Sequence, residues 1–307
     1  MRPPRSAVGS IWTGALAVRH RAFERWFRRQ LPPSPLDWPE PRRLYAAMRY
    51  AALSPGKRLR PMLVLTACEA AGGPWRSAFP AALAVELVHA FSLVHDDLPC
   101  MDDDDYRRGR LTTHKKFGEA IGVLAGDALL AEAFAALGGL ADRGVPPART
   151  VRAMATLAIA SGHRYLIGGQ VLDLEAEGRP ATRDAVQEIH GRKTGALIGA
   201  ALELGAIVAG APPEDEQALG LAGQHLGSAF QIRDDLLDLR STMRVLGKRT
   251  GSDARRGKAT YPRAVGVAAA ERAATTAIRL ALEGVDRFGP RARNLRHLIE
   301  TMAGRER

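Results

Sequence analysis

Cysteine is nearly missing: Cys68 and Cys100 are the only two in 307 residues. That excludes a disulfide-stapled secreted scaffold and points to a reducing, cytoplasmic compartment. Lysine is scarce too, with six against 38 arginines. Aromatic residues make up 6%, too few for the stacking stripes of a nucleic-acid module, so no nucleic-acid partner is expected. No uncharged apolar stretch reaches the roughly 20 residues of a spanning helix. The longest ones are interrupted by Asp127, Glu132 or Glu203, so no transmembrane association is expected. Strand-type alternation and repeats of fixed period are also lacking.

What is present is ordinary for a globular chain: 46% apolar and 25% charged residues, which excludes wholesale disorder. The length is enough to bury a large core. The net charge of +11 suits phosphorylated substrates, an anionic surface or nucleic acid. A general drift from lysine to arginine accounts for much of the arginine excess, which makes the surviving lysines informative. Lys57, Lys193, Lys248 and Lys258 all fall in the segments singled out below.

Residues 1–9 form a basic end without the apolar core of a secretory signal. From Ser10, a plausible N-cap, residues Trp12, Leu16, Phe23, Trp26 and Phe27 share a helical face, and prolines 32, 33, 35, 39 and 41 then break the chain. Residues 1–40 therefore read as a basic helix with a Pro-rich connector, packed onto a single all-α domain at 41–307. Ala- and Leu-rich segments predict helices at 44–53, 61–71, 78–98, 119–140, 147–167, 183–208, 213–239, 261–282 and 292–302, about ten in all with the first. Several are apolar on most faces and so buried.

The strongest chemical signal is His95-Asp96-Asp97-Leu98-Pro99-Cys100-Met101-Asp102, continued by Asp103–Asp105 and then Arg107-Arg108-Gly109-Arg110. Alone, Asp103–Asp105 read as a solvated loop. Asp96 and Asp97 follow an apolar helix directly, where unpaired carboxylates are costly. Grouped hard oxygen ligands suit Mg²⁺, and Arg107, Arg108, Arg110 and Lys115 would then face a phosphorylated ligand. A second cluster, Gln231-Ile232-Arg233-Asp234-Asp235-Leu236-Leu237-Asp238, places Asp234 and Asp238 on one helical face, with Lys248, Asp253 and Lys258 downstream. One such cluster arises readily by chance on a surface helix. Two, each followed by a Gly/Lys/Arg loop, can hold several Mg²⁺ ions and neutralise a departing diphosphate.

Gly56-Lys57-Arg58-Leu59-Arg60-Pro61, the first Asp cluster with Arg107-Arg108-Gly109, Gly169-Gln170 with Asp173, Lys193-Thr194, Phe230-Gln231 and the second Asp cluster occur in the order seen in the trans-isoprenyl diphosphate synthases, which the chain resembles from about residue 40 to 300. The four residues between Asp97 and Asp102 resemble the bacterial short-chain members. The resemblance implies an all-α isoprenoid synthase-type bundle around a central apolar cavity, usually a homodimer, joining isopentenyl diphosphate to an allylic diphosphate. It implies that Asp96, Asp97, Asp102, Asp234, Asp235 and Asp238 hold Mg²⁺, three ions with substrate bound. Arg107, Lys193, Lys248 and Lys258 would contact the allylic diphosphate, and Lys57, Arg60, His89 and Arg108 the isopentenyl diphosphate. Thr194 and Gln231 would turn oxygen dipoles to the carbocation in a dry pocket. Gln170 and Asp173 would orient metal-bound water, or else cap and pair locally.

Read singly, Lys57, Arg58 and Arg60 also fit an exposed basic loop, and His89 and His95 fit hydrogen-bonded core histidines. Phe91, five residues before Asp96 with Ser92 beside it, resembles the floor of a synthase that stops at a fifteen-carbon farnesyl product. Tyr165 stands where small residues are common in the family, Leu111 replaces a usual proline, Ser54-Pro55 a usual glycine, and Arg240-Ser241-Thr242 usual acids. A geranylgeranyl or geranyl product is the alternative. A class I terpene cyclase is a more distant one, disfavoured by Asp238 in the second motif and by the second diphosphate site. A metal phosphohydrolase lacks the further dispersed ligands, and a non-catalytic subunit of this fold would have lost its acidic residues.

Overall fold

Ala- and Leu-rich runs bounded by Gly and Pro become helices throughout the computed structural model, which describes residues 12–31, 42–244 and 259–304, the side chains of 240–244 excepted. The protein is all-α. The helices are α1 (Gly14–Gln30), α2 (Arg42–Ala52), α3 (Leu59–Ala70), α4 (Phe79–Asp96), α5 (Thr113–Phe117), α6 (Glu119–Gly138), α7 (Pro147–Ser161), α8 (Leu166–Ala176), α9 (Arg183–Ile189), α10 (Ala196–Ala209), α11 (Pro213–Arg244), α12 (Tyr261–Val265), α13 (Val267–Asp286) and α14 (Arg293–Ala303).

These are fourteen α-helices among the described residues, against the ten or so expected. One extra helix, α5, forms where none was expected, and the others come from runs that break where local chemistry competes with the helix. Ser161 turns its hydroxyl back onto the Leu157 carbonyl (2.8 Å) just before Gly162, which parts α7 from α8. A π-helical turn, His190–Gly195, separates α9 from α10. Gly266, at φ +82°, ends α12 and starts α13, a conformation that favours glycine. The expected cap Ser10 lies outside the described residues, and Thr13 holds the N-cap position of α1. A two-residue antiparallel pair, β1 (Tyr106–Arg107) and β2 (Arg110–Leu111), departs from the strand-free expectation. It exists because Arg108 (φ +53°) and Gly109 turn the chain back on itself.

Contacts divide the chain into two units, Met1–Leu65 with Arg76–Thr150, and Thr66–Trp75 with Val151–Arg307. In the first, α4 is the central core helix, buried from Phe79 to Val88 and packed on α6 and α2. On α1, Phe23 and Phe27 are fully buried, and Phe23 meets Phe79 edge-on at 5.8 Å. In the second, α10, α11 and α13 pack together, and Val186, Ile232, Leu236, Tyr261, Ala270 and Ala274 form an apolar cluster. The helical runs Trp75–Asp96 and Glu119–Arg143 have the length and apolar composition of membrane spans. The first has 78% of its apolar window buried inside the protein, the second 33%. Glu86 and Glu132 lie within them.

Candidate active site

In the first unit the Asp cluster is placed by the end of α4. Asp97 caps that helix, and the backbone amide of Asp102 reaches back to the Asp96 carbonyl at 2.7 Å, folding 96–102 into a tight turn. The two neighbouring aspartates then differ. Asp96 is half-buried, whereas Asp97 is 3% exposed and accepts from Arg107 Nε at 2.6 Å. Burial pushes the Asp97 carboxyl up to about 6, against the opposing pull of the Arg107 guanidinium. Arg107 Nη2 also reaches Asp104 at 3.6 Å. Of the other basic residues expected to face a ligand, Lys115 pairs with Asp105 (2.7 Å) and Arg110 lies over the Tyr50 ring (4.0 Å).

The basic loop before α3 belongs to the same unit. Lys57 and Arg60 are half-buried, and Arg60 Nη1 lies 3.4 Å from His89 Nε2. Arg108 Nη1 donates to the Pro55 carbonyl at 2.9 Å. Burial, then Arg60, Arg108, Arg58 and Arg107, hold the His89 pKa well below the usual histidine value, so its ring is a neutral acceptor at neutral pH. His89, Asp97, Arg107 and Arg108 line one cleft enclosing about 480 Å³ of atom-free space, part of it open to solvent. Phe91 is buried and meets His95 edge-on at 4.9 Å, and His95 Nε2 lies 3.0 Å from the Val123 carbonyl. Ser92 Oγ donates to the His89 carbonyl at 3.0 Å.

In the second unit, Lys193 and Thr194 stand on the π-helical turn. Lys193 Nζ donates to Asp173 Oδ2 at 2.7 Å. Gly169 lets α8 approach that turn, because a Cβ there would meet the Lys193 nitrogen at 2.4 Å. Gln170 Oε1 is buried without a hydrogen-bond partner among the described residues. Thr194 Oγ1 donates to Gln231 Oε1 (3.0 Å), and Gln231 Nε2 donates to Asp235 Oδ1 (3.3 Å). Asp235 Oδ2 accepts from the Tyr261 backbone amide at 2.7 Å and lies 3.4 Å from His190 Nε2. Both oxygens of Asp235 thus face protein donors, while Asp234, its neighbour on α11, is exposed. Tyr165 occupies the N-cap position of α8 and is 38% exposed. Lys248, Asp253 and Lys258 lie outside the described residues, as do the side chains of Arg240, Ser241 and Thr242.

Sequence reasoning missed Glu24, Glu86, His190 and Tyr261, which hold site residues in place. Glu86 did carry a signal, since a lone carboxylate inside the apolar run of α4 demands a cationic partner. Among the described residues no three His, Cys, Asp or Glu side chains converge into a closed metal cage. The carboxylates of Asp96, Asp102 and Asp234, half-buried or exposed, are hard oxygen donors of the kind Mg²⁺ takes, one or two at a time, beside phosphate oxygens and water.

A helical protein with aspartates and arginines at the end of one helix and a second set of aspartates on α11 is of the isoprenoid-synthase type. The polyprenyl synthetase family profile matches residues 41–290. The chain is 46% identical to the farnesyl diphosphate synthase of Bacillus subtilis over 227 residues, 74% of this chain and 76% of that one. It is 44% identical to geranylgeranyl pyrophosphate synthase 11 of Arabidopsis thaliana over 252 residues, 81% of this chain and 70% of that one. The crystal structure of an FPP/GFPP synthase from Zymomonas mobilis superposes with a TM-score of 0.80 at 37% identity, covering 92% of this chain and 95% of that one. The chain belongs to the polyprenyl synthetase family.

Proposed function

We propose that the protein is a Mg²⁺-dependent trans-prenyltransferase that condenses isopentenyl diphosphate head-to-tail with dimethylallyl or geranyl diphosphate and releases diphosphate. The carrying observation is the tight turn that folds Asp102 back onto Asp96 while Asp97 holds Arg107 beside them. In this reading Asp96, Asp102, Asp234 and Asp238 ligate the metal, three ions per site with substrate bound. Asp97 and Asp235 serve by fixing Arg107 and the Gln231 amide. Mg²⁺ held by these carboxylates would supply positive charge to a departing diphosphate.

Arg107 and Lys193, with Lys248 and Lys258, bind the allylic diphosphate. Lys57, Arg60, His89 and Arg108 bind isopentenyl diphosphate, His89 as a neutral ring with Nε2 beside Arg60. The allylic C–O bond breaks with both electrons leaving on the diphosphate. The isopentenyl double bond attacks the resulting cation, and the adduct loses a proton to the departed diphosphate. Thr194 and Gln231, already hydrogen-bonded to each other, present oxygen dipoles to the cation. Gln170 and Asp173 would orient water near a bound metal, the unpartnered Gln170 oxygen being available for it.

Farnesyl diphosphate is the proposed product, with Phe91 closing the chain's path; geranylgeranyl diphosphate is the alternative. The protein is proposed to act as a cytoplasmic homodimer. The test is incubation of purified protein and Mg²⁺ with labelled isopentenyl diphosphate and, in turn, dimethylallyl, geranyl and farnesyl diphosphate. Product is expected from the first two primers, and from Asp96→Ala or Asp234→Ala almost none, with helicity by circular dichroism unchanged. Full turnover by either variant would overturn the reading.

A further inference from the structure

Arg58 lies between the two cations assigned to isopentenyl diphosphate, and its guanidinium is committed to protein partners. Its side chain is 3% exposed. Nε donates to Glu24 Oε1 at 2.7 Å, Nη1 to Glu86 Oε1 at 2.6 Å, and Nη2 to the Ser54 carbonyl at 2.9 Å. The Phe27 ring lies under the guanidinium at 5.2 Å. The Arg58 backbone is left-handed, at φ +50°. For a non-glycine residue that conformation is strained and persists only where the surroundings over-determine it. Here they do: a planar guanidinium is gripped by two carboxylates and a carbonyl, a geometry that lysine's point charge does not reproduce. A buried charge with this many partners is a weak source of stability but a strict one of geometry, because losing one partner leaves the others uncompensated.

The grip is supplied by different helices. Glu86 comes from α4, three residues before His89, and Glu24 from α1. The segment between α2 and α3 carries Lys57, Arg60 follows on the first turn of α3, and Arg108 donates to the Pro55 carbonyl of that segment.

We propose that Glu24 is a positioning residue for isopentenyl diphosphate: together with Glu86 it locks Arg58, and Arg58 sets the stretch of chain that carries Lys57 before it and Arg60 on the first turn of α3. The first helix is then part of the isopentenyl diphosphate site. This rests on the reading of Lys57 and Arg60 as that site's cations.

Steady-state kinetics on the full chain test it, with each diphosphate varied in turn. Glu24→Ala is expected to raise KM for isopentenyl diphosphate about 10-fold, as loss of a charge-assisted hydrogen bond does, and to leave KM for geranyl diphosphate within about twofold. Glu24→Gln, whose amide oxygen still accepts from Nε, should fall between wild type and Glu24→Ala, and serves as the readout if the alanine variant does not fold. Phe23→Ala removes packing of α1 without touching Arg58, and should lower the melting temperature with neither KM moved. An unchanged KM for isopentenyl diphosphate in both Glu24 variants, or an equal rise for both substrates, overturns the proposal provided Arg60→Ala raises KM for isopentenyl diphosphate. If Arg60→Ala leaves that KM unchanged, the site reading itself falls and takes the proposal with it.

Discussion

The backbone amide of Tyr261 donates to Oδ2 of Asp235 across 2.7 Å, tying the start of α12 to the middle of α11. Asp235 is 8% exposed, and its other oxygen takes the Gln231 amide. Asp235→Ala would leave a buried backbone donor unpaired and untie Gln231, at a cost of about 2–4 kcal/mol. Asp234→Ala, on the exposed side of the same helix, is expected to cost less stability than Asp235→Ala while removing turnover. Chemical denaturation of both variants checks this. Equal stability losses would mean that the two aspartates do not divide their work in this way.

The helices were legible because Ala and Leu recur at helical spacing between Gly and Pro, and α3, α4 and α6 lie where that pattern puts them to within two residues. The Asp clusters were legible because carboxylates next to Phe91, Val94 and Leu236 defy the hydrophobic pattern. Partners distant in the chain were not legible. Glu24 and Arg58 are 34 residues apart, and Gln187 and Tyr261 are 74 apart, yet each pair is hydrogen-bonded. The π-helical turn under Lys193 and Thr194 has no compositional mark, since His190-Gly191-Arg192 reads as ordinary helix interrupted by one glycine. Division of labour within each Asp pair depends on which carboxylate its helix turns inward, and residue type does not encode that.

Asp97 and Asp96 are expected to separate in kinetics. Asp97→Asn keeps the side chain's shape but weakens its hold on Arg107, so kcat/KM for geranyl diphosphate should fall by about 10- to 100-fold with little change in the Mg²⁺ needed for half-maximal rate. Asp96→Asn should raise that Mg²⁺ requirement. Titrating Mg²⁺ at saturating substrates for both variants measures the contrast. The same shift in Mg²⁺ demand for both would place Asp97 on the metal.

His89 should remain neutral in the folded protein. Its pKa lies well below 6.5, lowered by burial first and then by Arg60, Arg108, Arg58 and Arg107. In the unfolded chain it protonates near its ordinary value, so acidification favours the unfolded state: the stability associated with neutral His89 is present above 6.5 and is lost as pH falls below it. Wild type should therefore lose more stability than His89→Gln between about pH 7 and about pH 5. Denaturant titrations at the two pH values decide it, and equal losses would show that His89 charges in place.

Phe91 offers the most direct handle on product length. It lies on α4 five residues before Asp96, roughly 7.5 Å along the helix axis, and it is 5% exposed. A prenyl chain growing down α4 from a diphosphate anchored at Asp96 would meet this ring within about two isoprene units of its start. Phe91→Ala opens the path and removes buried aromatic area, at a cost of about 3–5 kcal/mol in stability. Products should lengthen towards twenty carbons with geranyl diphosphate as primer, while Phe91→Leu should keep most of the wild-type distribution. Chromatography of the dephosphorylated alcohols gives the answer. If Phe91→Ala is folded and active but makes the same chain length, the stop lies elsewhere, and Tyr165, at the head of α8, becomes the residue to truncate.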